Sequence, residues 1–321
     1  MPMEGRADSP LGIIGTVGQR TKGTIYEVTE DTEGYKHYTN VYSGGPTLAA
    51  TFSPLLQREY GTLVGNDCIW TGYHTWFGPG MNLHRTPYNG RNIAYYSEDS
   101  VLTGNTGAYV HQTLNKYGVV TNVKHFAFND QETNRDGLAV FLNEQAAREN
   151  ELRGFQIGIR DGGIKGLMSA FNRIGVIHVG AHRGLMNGIL RGEWGWKTGF
   201  MMTDSVKSAQ YFLPRECIMA SNDTMLGGSN NGKVWNLSAS EVEKDIVLQS
   251  KLRESYHRKL FNYVNSFIMD GIDAESAAGG GQVWWVTMLQ VIIGMSALCF
   301  VTFTALYLLV GRKRKGVAAN G

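Results

Sequence analysis

Several places along the chain set polar or ionisable residues directly after an apolar or β-rich run. Gly78-Pro79-Gly80 follows His74-Thr75-Trp76-Phe77, and Lys124-His125 follows Val119 to Val123. Phe171-Asn172-Arg173 ends the run from Lys165 to Ala170, and Asp204 follows Phe200-Met201-Met202. The continuous apolar character of Phe200 to Met202 suits a strand buried on both faces. An acid at the carboxyl end of a parallel strand, before a βα loop, sits where barrel enzymes keep their chemistry. Asp is also a favoured N-cap, and the segment from Val206 can be helical. The stretch alone therefore leaves a catalytic acid and a helix cap both open. Recurrence is the stronger signal: clusters at the same end of successive strands converge on one mouth, and chance polar loops need not repeat in this way.

The elements that would hold these clusters alternate. Ser53-Pro54 predicts a helix start, with Ser as N-cap and Pro at the first helical position, running to about Trp70. Ser97-Glu98-Asp99 opens a helix to Lys116. Asn143 to Arg160 is helical, with Ala147, Leu152, Phe155 and Ile159 close to helical spacing. Ala181 to Arg191 is helical, and a helix runs through Cys217 to a short strand at Asp223 to Gly227. Ser238 or Ser240 caps a last amphipathic helix, with Glu241 and Glu243 in its first turn and apolar positions through Phe267. Arg6 to Gly12 reads as a turn-rich start, and Gly15 to Gly45 as a long irregular segment.

Alternation of strand and helix predicts an α/β fold with a parallel sheet, a (β/α)8 TIM-like barrel over residues 1–270. About five strong strands are legible where a closed barrel has eight, so the barrel is expected to be incomplete at its amino-terminal end.

Composition narrows the function classes. With 42% hydrophobic and 18% charged residues among 321, the chain has enough apolar material for a sizeable core. The net charge of +2 owes much to Arg312-Lys313-Arg314-Lys315, so the remainder offers no polyanion-binding surface and no nucleic-acid partner is expected. Cys68, Cys217 and Cys299 lack CxxC spacing and a paired His, so neither a metal nor a disulfide framework is expected, and no cofactor is implied. The start, Met1 to Pro10, is polar and carries no signal-peptide pattern.

The other end differs. A Gly/Ala/Ser-rich linker at 271–282 leads to Val283 to Val310, a run without a charge. About 20 such residues span a bilayer, so residues 283–310 are expected to form a transmembrane helix in contact with lipid. Trp284, Trp285 and Tyr307 suit its interfaces. The basic tail, 311–321, is expected in the cytoplasm, with the barrel outside the cell membrane. An outside barrel without a signal peptide leads us to expect further chain upstream.

The ordered clusters resemble family 3 glycoside hydrolases of the β-glucosidase type. Asp8-Ser9-Pro10-Leu11-Gly12 looks like the family's Asp-Gly-Pro-x-Gly with Ser for the first Gly, and Leu48 to Pro54 resembles its Leu-Ala-Ala-Thr-Trp-Asn-Pro. Gly78 to Arg85, Gly90-Arg91-Asn92 and Tyr96-Ser97-Glu98-Asp99 are close to a signature. So is Lys124-His125-Phe126-Ala127-Phe128-Asn129-Asp130-Gln131-Glu132 with Asn134-Arg135. Met168 to Arg173 and Gly199 to Asp204 complete the set.

The resemblance implies roles by position. Asp204 would be the nucleophile of a retaining exo-glycosidase that forms a covalent glycosyl-enzyme with a terminal β-linked sugar. Asp8, Arg91, Lys124 and His125 would hydrogen-bond the sugar hydroxyls, and Arg135 would help keep Asp204 ionised. Nearby Lys and Arg are expected to lower the pKa of such a carboxylate. The partner would be a β-glucoside or a short β-linked oligosaccharide.

The sequence departs from the pattern at Ser205, where the family has an aromatic residue, and at Phe171, where Tyr is common. The family's general acid is a Glu in a sandwich domain that nothing here resembles. Some members carry that domain before the barrel, so a missing sandwich domain is expected upstream. On its own the chain would then hold half of an active site, because retention needs two carboxyl groups about 5 Å apart. Two rivals stand beside this expectation. One is a β-N-acetylhexosaminidase of the same family, whose loop pattern Lys124-His125-Phe126 does not continue here. The other is an inactive, membrane-anchored carbohydrate-binding remnant.

Overall fold

In a computed structural model the described residues are 41–205, 212–226, 237–269 and 290–304, with 6–8, 11–13, 16–17, 37–38 and 288. Residues 3–269 form one compact unit, and residues 270–321 with 1–2 fall to another.

The larger unit is built on parallel strands that follow one another in chain order. Strand β1 (Arg6–Asp8) pairs with β2 (Thr75–Phe77), and β2 with β3 (Val120–Thr121). Beyond Asn122 the chain continues as β4 (Val123–Phe126), which pairs with β5 (Gly166–Ser169). Strand β6 (Phe200–Ser205) joins β5 on one side and β7 (Thr224–Leu226) on the other. One extended stretch, Val120 to Phe126, thus leaves the first group of strands and enters the second. Arg6-Ala7-Asp8, expected as part of a turn-rich start, is instead a strand in register with Thr75 to Phe77. Most of Gly15 to Gly45 lies outside the described residues, apart from short strands at Thr16–Val17 and His37–Tyr38 that pair antiparallel.

The strands divide their side chains with period two. Phe200 and Met202 pack with Phe77 and Met168 in one apolar cluster, while Met201, Leu167, Trp76 and Val123 join the larger core. That larger core includes Val110 and Leu114 of α2 (Ser100–Leu114) and Phe155 of α3 (Arg153–Gly162). Asp204 is the next residue in the row that begins Phe200, Met202, so it stands above an apolar plug.

Helix starts follow local chemistry. Ser53 Oγ accepts from Leu56 N at 3.4 Å and Pro54 opens α1 (Pro54–Thr71), as expected. Asp99 accepts from Leu102 N at 2.6 Å ahead of α2. Glycine allows α2 and α3 to close on each other: a Cβ on Gly104 would come within 2.7 Å of Ile157 Cβ.

Three helical expectations change. Asn143 to Arg160 is not one regular helix, because a π-helical turn at Ala147–Glu151 precedes α3, with Leu152 N bonded to Ala147 O at 2.9 Å. Ala181 to Arg191 becomes a 3-10 turn at Val179–Ala181 and a π-helical segment at Gly184–Glu193. After α4 (Pro214–Met219), the last helix divides into Ala239–Lys244 and α5 (Ile246–Val264). Ser238 and Glu241 form the capping box of the first piece, but the Asp245 carboxylate then caps Val247 and Leu248 N–H at 3.1 and 3.0 Å and starts a second helix.

In the other unit, residues 290–304 are helical, and Val291, Ile292, Ile293, Met295, Leu298 and Phe300 are exposed. Among the described residues no helix is long and apolar enough to cross a membrane. The linker at 271–282, the tail at 311–321 and the rest of 283–310, apart from Met288, lie outside the described residues.

Candidate active site

Asp204 occupies the carboxyl end of β6, with 15% of its side chain exposed. One oxygen, Oδ1, accepts from Ser205 N at 2.7 Å, and Oδ2 lies 3.4 Å from His125 Nε2. His125 and Lys124 belong to β4 and are both buried. The loop after β2 sets them in place. Lys124 N donates to Pro79 O at 3.0 Å, and Met81 N donates to Lys124 O at 2.7 Å. The Asn82 amide then clamps the His125 backbone from both sides, Nδ2 donating to His125 O at 3.0 Å and Oδ1 accepting from His125 N at 2.7 Å. These bonds explain why the Gly78-Pro79-Gly80 cluster recurs beside the Lys124-His125 cluster: one loop braces the other.

Two arginines reach the same place from different loops, and one carboxylate holds both. Glu132 Oε2 accepts from Arg91 Nε at 2.8 Å, and its Oε1 lies 3.4 Å from Arg135 Nε. Arg135 also stacks over the buried Phe171 ring, 4.8 Å from guanidinium carbon to centroid. A small sheet fixes that pairing. Ala139–Val140 runs parallel to Arg173–Ile174, which turns back through Ile177–His178. Arg173 N donates to Leu138 O at 2.7 Å, which ties the loop after β4 to the loop after β5. Phe171, where Tyr is common in the family, gives Arg135 a cation–π seat.

The electrostatics correct one expectation. Burial raises the Asp204 pKa above the ordinary carboxylate value, although Ser205 N–H, Lys124, Arg135 and Arg91 all act to lower it. The nearby cations were expected to decide the sign; desolvation outweighs them here, because the carboxyl sits largely out of water above an apolar plug. His125 is pushed well below its usual pKa, first by burial and then by Lys124, Arg91 and Arg135, so its ring is neutral. The contact between His125 and Asp204 is therefore one between a carboxyl and a neutral imidazole, not an ion pair.

Of the residues singled out in the sequence, Asp204, His125, Lys124, Arg91 and Arg135 come together in one place: the fields of Lys124, Arg91 and Arg135 reach both Asp204 and His125. Asp8 ends β1 in register with Phe77, and its side chain lies outside the described residues. Ser205 is the last residue of β6 and is half-buried. Glu132, Asn82, Tyr95 and Asn129 were given no role from sequence. Glu132 was discoverable, since it stands three residues before Arg135. Tyr95 reaches His125 only through a tertiary contact, and Asn129 in turn bonds Tyr95.

The residues matched to known proteins are the ones that build this pocket. Residues 35–230 match the Glycosyl hydrolase family 3 N terminal domain. The chain is 38% identical over 160 residues to probable beta-glucosidase K of Emericella nidulans, covering 50% of this chain and 19% of that protein. It is 33% identical over 214 residues to beta-glucosidase BoGH3A of Bacteroides ovatus, covering 65% of this chain and 28% of that protein. Among solved structures it resembles beta-glucosidase 3B of Thermotoga neapolitana in complex with glycerol, with a TM-score of 0.70 at 30% identity. That likeness covers 82% of this chain and 36% of the other. The chain thus spans about a fifth to somewhat over a quarter of the length of these two relatives. The fold is the α/β, TIM-barrel-like arrangement of these neighbours, and since the family match covers more than half of the chain, the chain belongs to glycosyl hydrolase family 3.

Proposed function

We propose that the chain carries the nucleophile-bearing part of a retaining, β-glucosidase-type exo-glycosidase. The observation that supports this most is the convergence of a buried, incompletely bonded carboxylate, Asp204, with a neutral imidazole and three cations at the carboxyl ends of parallel strands. Asp204 attacks the anomeric carbon of a terminal β-linked sugar and forms a glycosyl-enzyme, which water then opens. Lys124, Arg91 and His125, with Asp8 at the end of β1, bind the sugar hydroxyls through charge-assisted and neutral hydrogen bonds. Arg135 Nη1 is buried without a hydrogen-bond partner among the described residues, which is a donor waiting for a ligand oxygen. The relatives named beta-glucosidase support the substrate class, a β-glucoside or short β-linked oligosaccharide. The leaving oxygen takes its proton from a carboxyl of a separate sandwich domain. Residues 283–310 anchor the chain in the cell membrane, with the barrel outside and the tail at 311–321 in the cytoplasm.

A 2-deoxy-2-fluoro β-glucoside with an activated leaving group tests the assignment, because such a leaving group needs little acid help. Mass mapping is expected to find the sugar on Asp204. A label on another carboxylate would overturn the assignment.

A further inference from the structure

His125 touches Asp204 with one ring nitrogen and Tyr95 with the other. Its Nε2 lies 3.4 Å from Asp204 Oδ2 and its Nδ1 lies 3.4 Å from Tyr95 Oη. Tyr95 is fully buried, and its place is tightly set: a Cβ on Gly80 would come within 2.6 Å of its ring. The hydroxyl has one hydrogen and two lone pairs to offer. The hydrogen goes to the Asn129 carbonyl at 2.9 Å, the shortest contact this oxygen makes. Asn129 Nδ2 donates back to the same oxygen at 3.3 Å. One lone pair remains, and it faces His125 Nδ1.

We propose that Tyr95 is a positioning residue that decides which nitrogen of His125 carries the proton: the ring is held as the Nδ1–H form, and Nε2 is presented to the Asp204 pocket as an acceptor. The opposite form would need a second hydrogen on Tyr95, or would take its only one from a buried carbonyl at 2.9 Å to serve a nitrogen at 3.4 Å. It would gain little at the other end, since a charge-assisted N–H···O⁻ bond is normally about 2.7–2.9 Å and Nε2 stands 3.4 Å from the carboxyl. The neutral state of the ring agrees, because a protonated imidazole would donate from both nitrogens.

A bare Nε2 beside a carboxyl oxygen asks for a hydrogen between them. With a sugar in place, a sugar hydroxyl supplies it by donating to Nε2. This last step rests on the glycosidase reading proposed above; the protonated nitrogen does not.

The test is long-range 1H–15N spectroscopy on the full chain carrying 15N-imidazole histidine. The His125→Gln variant identifies the signals of interest among those of the 8 histidines. The expected result at neutral pH is a protonated Nδ1 and an unprotonated Nε2. An Nε2–H ring in the unaltered protein overturns the proposal, whether or not any variant folds. In Tyr95→Phe, Nδ1–H loses its acceptor, and the ring is expected to move toward the Nε2–H form. An unchanged ring there overturns Tyr95 as the determinant. Added glucose is expected to shift the Nε2 resonance, with affinity falling about fivefold in Tyr95→Phe, the value of one hydrogen bond. If the Nδ1–H form is found but glucose moves nothing, the sugar reading fails and the assignment of the proton stands.

Discussion

Asp204 and Asp223 are both aspartates beside arginines, at opposite ends of neighbouring strands. Asp223 precedes β7 at its amino end and has no exposed side chain. Its oxygens are fully engaged: Arg258 donates to Oδ1 at 2.8 and 2.6 Å, and Oδ2 accepts from Arg191 at 3.0 Å and from Met201 N at 2.9 Å. Arg191 extends the network to the carbonyls of Trp196, Gly199 and Ser221. Burial lowers that guanidinium's pKa to about 10 even with Asp223 beside it, so the pair stays charged at neutral pH. Asp204, at the carboxyl end of β6, has one short bond, from Ser205 N, and one long contact, with a neutral imidazole. Its nearby arginines are turned to Glu132 instead. The difference separates two uses of one residue type. A carboxylate whose lone pairs are all satisfied holds strands and helices together, whereas one left unsatisfied among cations is free to bond something else. The position in the fold agrees, because the amino ends of such strands serve stability and the carboxyl ends carry the chemistry.

The comparison breaks most sharply in activity. Asp204→Ala is expected to abolish turnover of an activated aryl β-glucoside, a loss on the order of 10⁴-fold or more, as for other catalytic nucleophiles. In the unaltered chain, activated aryl glycosides are expected to turn over weakly and unactivated disaccharides hardly at all, since a placed acid contributes about 10²–10⁴-fold. Equal, efficient turnover of both would show that an acid lies within these residues.

Asp223→Asn should do the opposite. Two buried guanidiniums would lose their partner, and breaking such a pair costs about 3–5 kcal/mol, read as a lower midpoint in urea. Labelling of Asp204 per folded molecule should be unchanged. A variant that melts normally but no longer labels would show that the two aspartates are not separable in this way.

Glu132→Gln probes the carboxylate between them in character, bound to arginines yet beside the pocket. It should keep the fold and weaken sugar binding on the order of tenfold, the loss of one ionic hydrogen bond, measured by titration with glucose. No change in affinity would mean that Arg91 and Arg135 are held without it.

A pH-dependent effect concerns Asp130, whose pKa burial pushes to about 6 against the Leu83 N–H bond at 2.9 Å and the field of Arg85. A carboxyl raised above its unfolded value binds its proton more tightly when folded. Folding stability is therefore lost as pH rises from about 4 to about 6 and stays lower above that window. Asp130→Asn, which keeps an acceptor for Leu83 N, should gain on the order of 2 kcal/mol at pH 7 and nothing near pH 4. Equal stability of the two proteins across that range would refute the shift.

Much of this was legible in the residues. Phe200-Met201-Met202 before Asp204 announced a buried strand with an acid at its end, because a strand covered on both faces has to be apolar throughout. Ser53-Pro54 announced the start of α1, because cap chemistry is local. Helix interiors were less legible. The π-helical turn at Ala147–Glu151 and the break at Asp245 interrupt segments whose apolar spacing is helical throughout, and neither changes the average pattern that spacing reports. Arg6-Ala7-Asp8 has no apolar run, and it becomes a strand through its pairing with Thr75 to Phe77.

By itself the sequence determined which residue types would gather at the carboxyl ends of the strands, since strand, loop and cap are decided within a few residues of each other. Only the tertiary structure decided what those residues are to one another. The sign of the Asp204 shift depends on how much water the pocket excludes. The choice of partner for Arg91 and Arg135 depends on where Glu132 lands, and the proton on His125 depends on a tyrosine thirty residues from it in the chain. Desolvation and hydrogen-bond direction are set by atoms brought together in space, and local sequence carries no record of them.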